Sequence, residues 1–214
     1  MFIAFDGIDG SGKSSQVHST INRIKSKGFT VFEYDMGEEG FIDEELSDLR
    51  KGKLSCSAEI RELLYYFEGV LFGQETVAPL LDNKNKYGIV DRYLLSFLSY
   101  GPLNGIAKDR IKYLTKSMPW PDLYFFVNTT PDVAASRIQN CRKITRPEIG
   151  YKNVLSQNKD NNIKCFLEHQ TKVYNNFIAA VEECSNEGKK IIILDGNLPM
   201  EVISEQIASY IDAL

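Results

Sequence analysis

Apolar residues recur along the chain in two rhythms. Short runs rich in β-branched and aromatic residues, Phe2 to Phe5, Thr30 to Tyr34, Gly88 to Asp91, Asp122 to Val127 and Lys190 to Leu194, have the length and make-up of buried strands. Between them, apolar positions repeat three or four residues apart, as at Val17, Ile21 and Ile24, the spacing of a helix with one buried stripe. Five strands alternating with helices predict an α/β fold: a parallel, doubly wound sheet flanked by helices. The longest helical pattern, Glu59 to Leu81, is interrupted by Gly69 and Gly73 and stops near Pro79; its length suits one wall of a substrate cleft. Thr130-Pro131-Asp132 opens a further helix, which carries Arg137, with Thr130 at the N-cap and Pro131 in the first helical position. From Cys141 to Asn162 the periodicity lapses into polar sequence containing Arg142, Lys143, Arg146, Lys152 and Lys159. That stretch reads as a small mobile lid, although solvated surface has the same composition. Residues 1–214 then make one domain.

The first strand runs into Gly7-Ile8-Asp9-Gly10-Ser11-Gly12-Lys13-Ser14-Ser15, a Gly-x-x-x-x-Gly-Lys-Ser loop followed by a helical pattern. Gly7, Gly10 and Gly12 are expected at positive φ, so that successive N–H groups turn inward on an anion at the following helix N-terminus. Lys13 would reach the β- and γ-phosphates of a nucleoside triphosphate, and the Ser14 hydroxyl would ligate Mg²⁺. A P-loop NTPase fold follows.

Composition narrows the partners. A net charge of −4 argues against a broad nucleic-acid surface and leaves room for a local basic pocket. Cys56, Cys141, Cys165 and Cys184 are scattered without metal-ligand spacing, which reads as reduced thiols. No apolar run reaches membrane-spanning length and no signal sequence is apparent, so a cytoplasmic protein away from membranes is expected.

A second constellation ends the third strand, where Ile89-Val90 leads into Asp91-Arg92-Tyr93. Strand carboxyl ends face the ligand crevice of an open α/β sheet, so Asp91 can hold Mg²⁺ or its water and Arg92 can fork onto an acceptor phosphate; a helix cap is the plainer use of this pair. With the phosphate loop, Ser96, Tyr100 and the run Pro121-Asp122-Leu123 through Val133-Ala134, the chain resembles the thymidylate kinases from Met1 to about residue 213. The resemblance implies transfer of the ATP γ-phosphate to dTMP, giving dTDP, by a homodimer. It further implies that Asp9 touches the acceptor's 3′-hydroxyl, Arg92 its phosphate and Tyr100 its deoxyribose. Gly10 stands where some members carry arginine; members with glycine there draw that charge from the lid, here from Arg142 or, better in spacing, Arg146.

Two segments depart from the family pattern. Tyr34 to Gly40 holds three acids and no arginine, and Tyr65 to Phe72 has no arginine to read a thymine carbonyl. Phe97 also replaces a common polar base contact. Tyr66 or a neighbour remains available as a stacking surface, and an aromatic stripe on a helix is equally a core stripe. These changes leave the acceptor less defined than the donor. A deoxynucleoside kinase using Glu33 or Asp35 as base is one alternative, and a P-loop nucleotide switch is another.

Overall fold

The computed structural model describes residues 1–35, 42–51, 53–81, 85–151 and 153–213, without the side chains of Asp35, Asp43 and Leu81. The acidic stretch Met36 to Gly40 and Lys152 therefore lie outside the described residues, as does the Asp35 carboxyl. The elements run β1 (Phe2–Asp6), α1 (Lys13–Ser26), β2 (Thr30–Asp35), α2 (Asp43–Arg50), α3 (Ala58–Leu71), a π-helical segment (Phe72–Val77), α4 (Ala78–Leu81), β3 (Lys86–Asp91), α5 (Leu94–Tyr100), α6 (Lys108–Thr115), β4 (Leu123–Asn128), α7 (Pro131–Cys141), α8 (Lys159–Asn186), β5 (Ile192–Asp195) and α9 (Met200–Asp212).

All five strands are parallel, in the order β2-β3-β1-β4-β5. The sheet is the one that the alternating pattern predicts. β1 sits in the middle and is buried on both faces, which explains its unbroken apolar run before Asp6. Ile3 and Phe5 pack with Val17, Ile21 and Ile24 of α1 and Ile203, Ile207 and Ile211 of α9. Phe2 and Ala4 face the other way, into a core built with α3, α5, α7 and α8. The central strand thus delivers the phosphate loop to the carboxyl edge of the sheet, beside the end of β3.

Three local expectations change. The wall helix is not interrupted at its glycines: α3 passes without a break into the π-helical segment and α4, and Pro79 lies in that last short helix. The glycines serve close approach, since a Cβ on Gly69 would stand 2.6 Å from Phe97 Cζ and one on Gly73 3.1 Å from Pro119 Cδ. Thr130 occupies the N-cap of α7 with Pro131 behind it, but its hydroxyl donates to Asn197 Oδ1 at 3.2 Å instead of capping the helix. The polar stretch is shorter than its composition suggests, because Cys141 still belongs to α7 and Lys159 already begins α8. Its middle holds a 3-10 turn, Pro147–Ile149, whose Glu148 and Ile149 are buried.

Candidate active site

The loop between β1 and α1 is shaped by its glycines in two ways. Gly10 (φ 78°) and Gly12 (φ 91°) take left-handed conformations. Gly7 does not, contrary to expectation; it is small because a Cβ there would lie 2.8 Å from Val127 O. A Cβ on Gly10 would meet Ala134 O at 2.7 Å, so α7 fits tightly under this loop and an arginine at that position has no room. The α1 N-terminus carries no acidic residue in its first turn, leaving its partial positive charge for an anion. Arg137 braces the loop from α7, donating to Ser11 O at 3.1 Å and to Gly196 O at 2.7 Å. Ile8 and Ser11 are buried supports, whereas Ser14 and Ser15 are exposed.

The loop and the end of β3 meet directly. Lys13 Nζ lies 3.2 Å from Asp91 Oδ1, and the Ser14 hydroxyl donates to Asp91 Oδ2. Asp91 Oδ1 is otherwise buried without a hydrogen bond. Two oxygen donors beside a phosphate loop suit a hard divalent cation such as Mg²⁺.

Arg92 follows at φ 71°, the one non-glycine residue described with positive φ. Strain of this kind costs about 1–3 kcal/mol and persists only where the surroundings enforce it. Here they do. The Arg92 N–H donates to Phe5 O at 2.8 Å, and Asp6, which ends β1, accepts from Tyr93 N at 3.1 Å, from the Ser96 hydroxyl and from the Tyr124 hydroxyl at 2.5 Å. Burial pushes the Asp6 carboxyl above its ordinary range against those donors. The guanidinium so aimed pairs with Asp9 and donates to the Tyr100 hydroxyl at 3.2 Å. Burial works against the charge on Asp9, but Arg92 and Lys13, with donors from Gln170 and Tyr100, outweigh it and hold this carboxyl below the usual aspartate range. Asp9, Arg92 and Tyr100, chosen from separate segments, therefore form one cluster.

That cluster opens into a cleft of about 1370 Å³ between α2, α3, α5 and the polar segment. Arg50, Lys51, Arg92, Arg142 and Arg146 line it, together with Glu62, Tyr65, Phe97, Asn104 and Tyr151. Arg142 pairs with buried Glu148, which also accepts from Thr145 N and Oγ1 at 2.6 and 2.8 Å. Among the described residues, Arg146 makes one long contact, 3.4 Å to Tyr151 O. Both expected arginines thus reach the cleft, one of them engaged.

Tyr66 does not line it. It is 1% exposed, packs edge-on against Phe97 and donates to Phe97 O at 3.3 Å, so the core takes it and its neighbour Tyr65 presents the aromatic wall. Glu33 is exposed on β2, with His18 Nε2 3.9 Å away, and it does not line the cleft.

Four participants were not singled out from the sequence. Gln170 of α8 is fully buried, exchanges hydrogen bonds with Asp9 and donates to Glu148 O at 3.0 Å, joining the phosphate loop to the polar segment. Its signal was a polar residue inside the apolar stripe Phe166, Val173, Phe177 of a long helix. Glu62 lies one turn before Tyr66 on α3, likewise on the inner face. Arg50 supplies an arginine from α2, a helix that drew no attention, and Tyr151 stacks under the buried Arg61 guanidinium, 3.4 Å from ring centroid to carbon.

Comparison with known proteins points to one family. The family model described as thymidylate kinase matches residues 5–207. The thymidylate kinase of Fervidobacterium nodosum is 25% identical over 217 aligned residues, covering all of this chain and 99% of that one. Those of Schizosaccharomyces pombe and Mycoplasmopsis agalactiae are 25% and 28% identical, covering 98% and 97% of this chain and 90% and 92% of theirs. Among the described residues, no helix is long and apolar enough to cross a membrane.

Proposed function

The chain belongs to the thymidylate kinase family, ATP-dependent nucleoside monophosphate kinases, and on that premise we propose that it transfers the γ-phosphate of ATP to dTMP, giving dTDP and ADP. The observation that supports this reading is the Asp9–Arg92–Tyr100 cluster, a guanidinium that would serve an acceptor phosphate beside a Gly-rich loop that would serve the donor.

The ATP phosphates would lie along the loop N–H groups from Asp9 to Ser15, with Lys13 on the β- and γ-phosphates. An oxygen of the dTMP phosphate attacks the γ-phosphorus as the bond to the β,γ-bridging oxygen breaks, and ADP carries away that electron pair. The acceptor phosphate is already ionised near neutral pH, so no general base is needed. Catalysis then rests on alignment and on positive charge around the transferring group: Lys13, Arg92 and a lid arginine, Arg146 or Arg142. Ser14 and Asp91 would hold Mg²⁺, whose chemistry is to neutralise phosphate charge.

The remaining parts of the reading are a single domain with a lid at about 141–162 that closes over bound nucleotides, a homodimer, and a cytoplasmic setting without nucleic-acid or membrane partners. A coupled ADP-release assay with dTMP, dUMP, dCMP and dGMP tests the reaction. Lys13→Ala should abolish turnover with every acceptor. Arg92→Ala should raise the acceptor KM, and an unchanged KM would remove Arg92 from the site.

A further inference from the structure

A nucleoside monophosphate whose phosphate meets Arg92 must point its base away from the phosphate loop, along the cleft. The contacts lead the same way: Arg92 holds the Tyr100 hydroxyl, Asn104 Nδ2 donates to Tyr100 O at 3.2 Å, and the same nitrogen donates to Glu62 Oε1 at 2.8 Å. Glu62 is 6% exposed, and among the described residues Asn104 is its hydrogen-bond partner. Tyr65 and Phe97 also line the cleft. Phe97 fills the space that a side chain at Gly69 would need, so no long polar residue from that helix position can reach the ligand. Besides the cations Arg50, Lys51 and Arg146, the lining offers a carboxyl and aromatic walls, equipment for gripping a flat ring by its faces and its edge.

We infer that Glu62, held by Asn104, reads the hydrogen-bonding edge of the acceptor base and is a specificity-determining residue for the kinase reaction. A neutral carboxyl offers one donor and one acceptor, the complement of the adjacent N3–H and C4=O of thymine or uracil. A carboxylate only accepts, which suits an edge with two donors, such as that of guanine. Burial lifts the Glu62 carboxyl to about 7, opposed by Arg61 and by Asn104, so both forms are present near neutrality. Arg61, Tyr65 and Tyr66 of its own helix interact with it electrostatically and Asn104 donates to it, while Arg50 and Tyr151 line the same cleft.

This inference rests on the proposed reaction and is tested separately from it. The wild-type chain is assayed with ATP and each of dTMP, dUMP, dCMP and dGMP, beside Glu62→Ala and Glu62→Gln, with ATP affinity checking that each variant is folded. Glu62→Ala should raise the dTMP KM about tenfold, keep kcat within about twofold and lower the dTMP-to-dGMP preference by a similar factor. Glu62→Gln keeps one donor and one acceptor, so its dTMP KM should stay near the wild-type value at about pH 6. It should also stay flat up to about pH 9, where the wild-type KM rises. An unchanged base preference in Glu62→Ala, or a Glu62→Gln KM that follows the wild-type pH curve, overturns the assignment. A wild-type chain that binds ATP and phosphorylates none of the four overturns the proposed reaction itself.

Discussion

Gln170 and Asp9 grip each other from opposite ends of the sequence: the Gln170 amide donates to Asp9 Oδ2 at 3.0 Å and the Asp9 N–H donates back to Gln170 Oε1 at 3.3 Å. The pair fixes the loop carboxylate that receives Arg92. Gln170→Leu would keep the volume and leave both Asp9 groups without these partners in a buried setting. The expected cost is about 1–3 kcal/mol of stability, a melting temperature lower by several degrees, and a raised acceptor KM. Thermal unfolding and steady-state kinetics check it; normal values in both would make the contact incidental.

Arg92 and the ATP site are expected to separate kinetically. Arg92→Lys keeps one charge and loses the fork, so the dTMP KM should rise by about one to two orders of magnitude while the ATP dissociation constant changes little. Isothermal titration with ATP, set against acceptor kinetics, tells the two apart.

The lid arginines should differ in kind. Among the described residues Arg146 has one long hydrogen bond to give up, so Arg146→Ala should lower kcat by about a hundredfold or more without changing stability. Arg142→Ala leaves buried Glu148 without its cation and should lower the melting temperature as well. Equal effects of the two variants on unfolding would contradict this division.

Glu62 also predicts a pH dependence of stability. Its folded value is about 7 against an ordinary 4.5, so the folded state holds this proton more tightly than the unfolded chain does. The stability it contributes is present at acid pH, falls as pH rises between those two values and is fully lost above about 7. Glu62→Gln should therefore match the wild type near pH 4 and exceed it near pH 8, by up to about 3 kcal/mol. Unfolding at both pH values measures it, and a constant difference would oppose the assignment.

How much could be read in advance varied with the physics involved. The phosphate loop and the end of β3 were legible because backbone geometry restricts their spelling: left-handed Gly10 and Gly12, and Asp91-Arg92 closing an apolar run. Tyr66 and Tyr65 were not separable, since one residue of helical rotation sends a ring to the core or to the cleft, and periodicity blurred by Gly69 does not fix that angle. Gln170 and Glu62 were missed because a polar residue on an inner helix face reads as an error in the stripe until a partner such as Asp9 or Asn104, distant in sequence, is brought to it. The helix capping role expected of Thr130 failed for the same reason: Asn197, sixty-seven residues on, competes for its hydroxyl.

The central claim is acceptor phosphorylation at the cluster built on Asp9 and Arg92. Its most direct measurement is ADP release by the wild-type chain with ATP, Mg²⁺ and dTMP, beside Lys13→Ala. Turnover that depends on dTMP, yields dTDP and disappears in the Lys13 variant is the predicted result. ATP binding with no dTMP-dependent ADP release, or release that Lys13→Ala leaves intact, would contradict it.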